Sequence, residues 1–204
     1  LHKCLAELGE LKNLLTKKQE LGENEDILPF FRDRLHLSAF IASYSPSVAR
    51  FDRIKHEFSL YSEFRADLVV GDSVSANYCF IEFEDAKKDS IFKKKGKNST
   101  EWSPRFEHGY SQLVDWFWLV DDTRRTLISR RAFGTESISI TGMLIIGRRA
   151  FLSSVENERL KWRLDKNLID SNKIICITFD QLADDLESRL QYMFRLSSKE
   201  VKLV

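Results

Sequence analysis

Residues 65–86 read RADLVVGDSVSANYCFIEFEDA. Two runs of bulky apolar residues flank a Gly71-Asp72-Ser73 turn signal, and neither run holds a proline. That pattern predicts a β-hairpin with strands over about 64–70 and 78–84. Successive strand side chains point to opposite faces. Glu82 and Glu84 therefore share a face with Phe80, while Ile81 and Phe83 take the other. Pairing Val70 with Cys79 sets Asp67 opposite Glu82, and opposed residues of an antiparallel pair lie on one face. A slip of one residue would carry Asp67 to the other side. A strand with Glu-x-Glu is, by itself, most simply a solvated face. An Asp among Ala66, Leu68, Val69 and Val70 on the facing strand points instead to a cluster of Asp67, Glu82 and Glu84. Such a cluster does not ionise fully without a cation to offset it. Hard oxygen donors of this kind suit Mg²⁺ or Mn²⁺.

Outward from the hairpin, the chain alternates helical and extended patterns. Leu1, Leu5, Leu8, Leu11 and Leu15 mark an amphipathic helix over residues 1–20, able to serve as a linker or an oligomerisation element. Gly22-Glu23-Asn24 breaks it. A second helix is expected over about 25–43, with Pro29 tolerated in its first turn. Residues 50–58 form a further expected strand before the hairpin. Residues 85–105 read as a loop carrying Lys87, Lys88, Lys93, Lys94, Lys95 and Lys97. A charge run of this kind is usually solvated, but a phosphodiester would need positive charge near the carboxylates. Helices over about 105–120, 154–169 and 180–196 alternate with strands over 137–147 and 173–178, and Asp180 is the expected N-cap of the last helix. The order predicts an α/β (α+β) fold, a mixed sheet with helices packed on it. Arg148-Arg149, at a strand end, form a second candidate phosphate contact, and Trp102 in the lysine loop could stack on a base.

Composition narrows the function classes. The 204 residues suffice for one sizeable core. Lys and Arg total 32 against 31 Asp and Glu, so global charge does not argue for nucleic acid and only a local cluster could. The three cysteines form no CxxC pair, which speaks against zinc ribbons and disulfide scaffolds and for a reducing cytoplasm. The four histidines have no metal-ligand spacing. No apolar run is long enough to span a bilayer. The chain opens on Leu1 and reads as a piece of something longer.

RADLVVGD, YCFIEFEDA and FEHGYSQLVDWFW together resemble the C-terminal domain of Shedu anti-phage defence proteins, within the PD-(D/E)XK nuclease superfamily. The resemblance runs from ENEDILPFF to ITFDQLADDL and makes residues 21–204 the nuclease domain. It implies a restriction-endonuclease-like fold and a Mg²⁺- or Mn²⁺-dependent endonuclease acting on DNA. Asp67 matches the superfamily's strand Asp, Glu82 the Glu of its Glu-x-Lys pattern, and Gln112 its helix Gln. Glu84 stands at the Lys position, as Glu does in some restriction nucleases of the superfamily. Glu84 then binds metal or activates water, or Lys87 or Lys88 reaches back to supply the positive charge. Lys87, Lys88, Lys93, Lys94, Lys95 and Lys97 are the expected DNA-backbone contacts. The resemblance also implies a homo-oligomeric core with a separate sensing region elsewhere in the full protein. The alternative is a catalytically degenerate domain that binds nucleic acid or scaffolds a defence protein.

Overall fold

The structure is a computed structural model that describes residues 1–61, 64–95, 99–168 and 174–197. Five strands form one sheet in the order β1 (Arg53–Tyr61), β2 (Phe64–Asp72), β3 (Asn77–Phe83), β6 (Ser139–Ile145), β7 (Ile175–Ile177). The first three are an antiparallel meander, and β6 and β7 run parallel to β3. Val70 pairs with Cys79, as the alternation predicts. The mixed sheet flanked by helices is consistent with a PD-(D/E)XK-like fold.

One face of the sheet carries Leu68, Val70, Ile81, Phe83 and Ile145 into the largest core. That core is closed by α1 (His2–Lys17), α2 (Leu28–Arg32), α3 (Leu35–Ile41) and α7 (Phe179–Ser197). Phe31 stacks on Phe83 at 4.4 Å between centroids. Cys4, Leu8, Leu11 and Leu15 bury the stripe of α1 against this core. The opposite face packs on α4 (Pro104–Asp122), where Trp116 meets Phe80 at 4.9 Å. Pro104 is at the first helical position of α4, and Ser103 caps it by accepting from the Phe106 N–H at 3.0 Å.

Three expected features come out differently, and one helix is unexpected. The second helix is in fact a π-helical turn (Glu23–Ile27), α2 and α3, broken at Asp33-Arg34. Glu7 of α1 accepts from the Leu37 N–H at 2.7 Å and so caps α3 from another helix. The apolar stripe continues across the break, so periodicity does not register it. The lysine loop contains a two-stranded ribbon, β4 (Phe92–Lys95) with β5 (Ser99–Trp102). It is held by Phe92 against Trp102 at 4.4 Å, with the Arg159 guanidinium over Phe92. Trp102 also stacks on Phe106, so its ring is a packing element. Residues Leu127–Phe133 form a further helix, α5, capped by Thr126 and closed by Gly134 in the left-handed conformation. Finally, Thr178 rather than Asp180 caps α7, accepting from the Gln181 N–H at 3.2 Å.

Asp180 has another use, which also removes Arg148 from the phosphate candidates. The Arg148 guanidinium, only 11% exposed, donates to Asp180 and to the Leu15, Lys18 and Gln19 carbonyls at the end of α1. It ties α1, the end of β6 and α7 together. Arg149 pairs with Asp184 at 3.0 Å. Because truncation strands a partly buried carboxylate and several carbonyls, Arg148→Ala should lower the unfolding free energy by about 3 kcal/mol in urea titration. A loss within ~0.5 kcal/mol would make it an ordinary surface residue.

Candidate active site

The hairpin register sets the site. Leu68 pairs with Ile81, so the next positions outward bring Asp67 beside Glu82. Asp67 Oδ2 accepts from the Phe83 N–H at 2.9 Å, and the hairpin register sets its carboxyl group beside that of Glu82. Glu82 is 2% exposed, and its Oε1 has no hydrogen-bond partner. Glu84, equally buried, follows on the same face, its N–H donating to the Ile145 carbonyl at 3.0 Å. Gly109 lets α4 lie over it. A Cβ there would fall 3.0 Å from Glu84 Cγ and 2.7 Å from Leu144 Cδ1.

Two side chains that the sequence reading did not single out complete the group. Leu21 and Ala86 form an isolated antiparallel bridge, with Ala86 N–H donating to the Leu21 carbonyl at 2.9 Å. This rung sets the following π-helical turn beside the end of β3 and brings Glu23 to the site. Arg105, in the first turn of α4, donates from Nη1 to Glu23 Oε2 at 2.9 Å and to Glu84 Oε2 at 3.2 Å. Its Nε lies 3.7 Å from Asp85 Oδ2. One guanidinium thus serves three carboxylates from two parts of the chain. Its signal in the sequence was slight: the arginine stands one turn before Gly109 and two before Gln112, on a helix already assigned to the site.

Asp67, Glu23 and Gln112 line a polar cavity of about 760 Å³, whose far wall includes Arg32, Glu57 and Arg65. Gln112 therefore shares a space with Asp67. The lysines are arranged differently. Lys87 Nζ reaches Asp85 at 3.6 Å, so the cation hydrogen-bonded to Glu84 is Arg105 rather than Lys87. Lys88, Lys93 and Lys94 line a separate depression with Phe151, Leu152 and Glu156, and Lys93 pairs with Glu101 at 3.2 Å. Lys95 contributes backbone to β4, and Lys97 lies outside the described residues.

The donors match a hard divalent cation in kind: oxygen only, one buried oxygen unpartnered, and more negative charge than Arg105 neutralises. They are not yet gathered round one point, for no three His, Cys, Asp or Glu among the described residues are placed to hold a metal ion. Without a cation the acids hold their protons to higher pH than free carboxyl groups do. Burial, with the Glu23 charge adding to it, pushes the Asp67 carboxyl up to about 6 against the opposing Phe83 hydrogen bond. Burial and the Glu23 charge push Glu84 up to about 8, with Arg105 pulling the other way. Burial and the Asp67 charge raise Glu82 well above the carboxylate range.

These shifts fix the sign of a pH effect. Between the ordinary values of 3.8 and 4.5 and the raised values of about 6 and about 8, the unfolded chain is ionised while the folded site holds protons. The folded state binds more protons there, so its stability is full below the ordinary values and falls as pH rises through that window. Glu82→Gln removes one acid without changing shape. Its melting temperature should exceed the parent's at about pH 8 in EDTA, and the gap should close towards about pH 4. A gap that widens on acidification reverses the sign and contradicts the site as described.

The family model described as "Shedu protein SduA, C-terminal" matches residues 22–183. No curated protein matches the chain. No helix among the described residues is long and apolar enough to cross a membrane.

Proposed function

Because the chain belongs to the SduA C-terminal family of Shedu anti-phage defence proteins, we propose that it is a metal-dependent endonuclease domain that hydrolyses phosphodiester bonds in DNA. The observation that carries this reading is the buried Asp67–Glu82 pair, with an unpartnered Glu82 oxygen, of which Asp67 lines a polar cavity that Gln112 also lines. Families of one fold host several activities, so the site and not the fold supports the chemistry.

On this reading Asp67 and Glu82, with Glu84, hold Mg²⁺ or Mn²⁺. When bound, such an ion polarises a phosphate and lowers the pKa of water. The Oε2 of Glu84 is occupied by Arg105, so its Oε1 either completes the metal site or, with the ion left to Asp67 and Glu82, takes the proton from water. Arg105 supplies, from α4, the positive charge that the Glu-x-Lys pattern places on the strand. Gln112 orients a ligand or the attacking water from across the cavity. Lys87, beside Asp85, is close enough to the carboxylates to meet a flanking phosphate. Asp67→Ala and Glu82→Ala, each incubated with plasmid DNA and Mg²⁺, should lose cleavage by about two orders of magnitude or more. Cleavage at the parent rate by both variants refutes the assignment.

A second reading draws on Glu84 itself. With Glu at the strand's Lys position, held by Arg105, the domain would bind nucleic acid or scaffold a homo-oligomer without cutting. Mn²⁺ titration separates the two. The nuclease reading expects Mn²⁺ binding that Asp67→Ala and Glu82→Ala abolish, whereas a scaffold needs none.

A further inference from the structure

The far wall of the carboxylate cavity is built around a backbone irregularity. The β1–β2 register runs from Arg53↔Gly71 to His56↔Leu68 and resumes at Phe58↔Ala66. Glu57, opposite Asp67, is left out of it and adopts a left-handed φ of 49°. A non-glycine residue holds that conformation only where its surroundings over-determine it, and such residues cluster at functional sites. Here the Glu57 carboxylate draws in two guanidiniums with one oxygen. Oε1 lies 3.2 Å from Arg32 Nη2 and 3.7 Å from Arg65 Nη1. At Glu57 two guanidiniums meet one carboxylate, while the other acids of the lining, Glu23 and Asp67, are not paired with either arginine by a salt bridge. Both arginines are more than half exposed, so their remaining donors face solvent. A phosphodiester carries one negative charge and accepts hydrogen bonds from guanidinium groups.

We propose that Arg32 and Arg65, gathered by Glu57, form the phosphate clamp of this cavity, and that the sugar-phosphate backbone crosses them on its way to Asp67 and Glu82. The inference rests on the nuclease reading and fixes the path of its substrate. It differs from the lysine-loop expectation, because Lys88, Lys93 and Lys94 line another depression.

The test is fluorescence anisotropy with a labelled DNA duplex over a range of salt, in Ca²⁺, with the full chain. Arg32→Ala/Arg65→Ala should bind at least tenfold more weakly, and the slope of log K against log salt should fall by about 2, at ~0.9 per lost phosphate contact. Circular dichroism checks that the variant is folded, and Arg65→Ala alone, with a slope change of about 1, serves if it is not. Parental affinity and slope in the arginine variants, with the loss falling on Lys93→Ala/Lys94→Ala or nowhere, overturns the clamp and leaves the nuclease reading standing. A parent that binds no duplex overturns both.

Discussion

The mutual repulsion of Asp67, Glu82 and Glu84 is the constraint around which the chain is arranged. Three carboxyl groups on one face of a hairpin, two of them almost fully buried, are tolerated only while protonated or offset by positive charge. The register of β2 against β3 makes the meeting unavoidable, and the antiparallel ladder makes it rigid. Everything near the site can be read as an answer to that charge. Gly109 brings α4 close, Arg105 reaches down from its first turn, and Ser103 and Pro104 fix where that turn begins. Desolvation raises the acids further, and on the proposed reading a divalent cation would relieve both effects at once.

The hairpin was legible because its signals are local. Alternation, a Gly-Asp-Ser turn and the absence of proline specify both strands and their register, and the register alone assembles Asp67 with Glu82 and Glu84. Gln112 was legible only through a family likeness, since a polar residue on a helix carries no intrinsic sign of a role. Glu23 was not legible. It stands after a helix break, and a single bridge between Leu21 and Ala86 carries it to the site from 61 positions before Glu84 in the chain. Arg105 was hidden for a similar reason: its partners come from Glu23, Glu84 and Asp85, and only packing joins them. The lysines are a different case. Their density in the sequence says nothing of where they lie, and the ribbon formed by β4 and β5 sets Lys93 and Lys94 with Glu156 of α6 (Ser154–Lys166) along a separate depression.

Local propensity and tertiary context also divide the remaining misreadings. The second helix splits where Glu7 offers a cap to Leu37, and nothing in residues 25–43 announces a partner in α1. Asp180 is a good capping residue by type, but Arg148 claims it, and Thr178 takes the capping role. In both cases a charged side chain from a distant segment outbids a local preference, which is the usual way tertiary structure overrides propensity.

The Leu21–Ala86 bridge has a mechanical side. It is a single rung, so beyond the shared core the segment between α1 and the π-helical turn meets the end of β3 through one pair of backbone hydrogen bonds rather than along a shared strand. Upstream of the rung, Arg148 clamps the end of α1 to the start of α7. Downstream, Glu23 shares Arg105 with Glu84. A slide of α1 along its axis would strain the rung and drag Glu23 away from Arg105. The guanidinium would then be left to Glu84 and Asp85. The N-terminal helix is thus geared to the charge balance of a site it does not touch, with the gearing ratio set by one pair of hydrogen bonds.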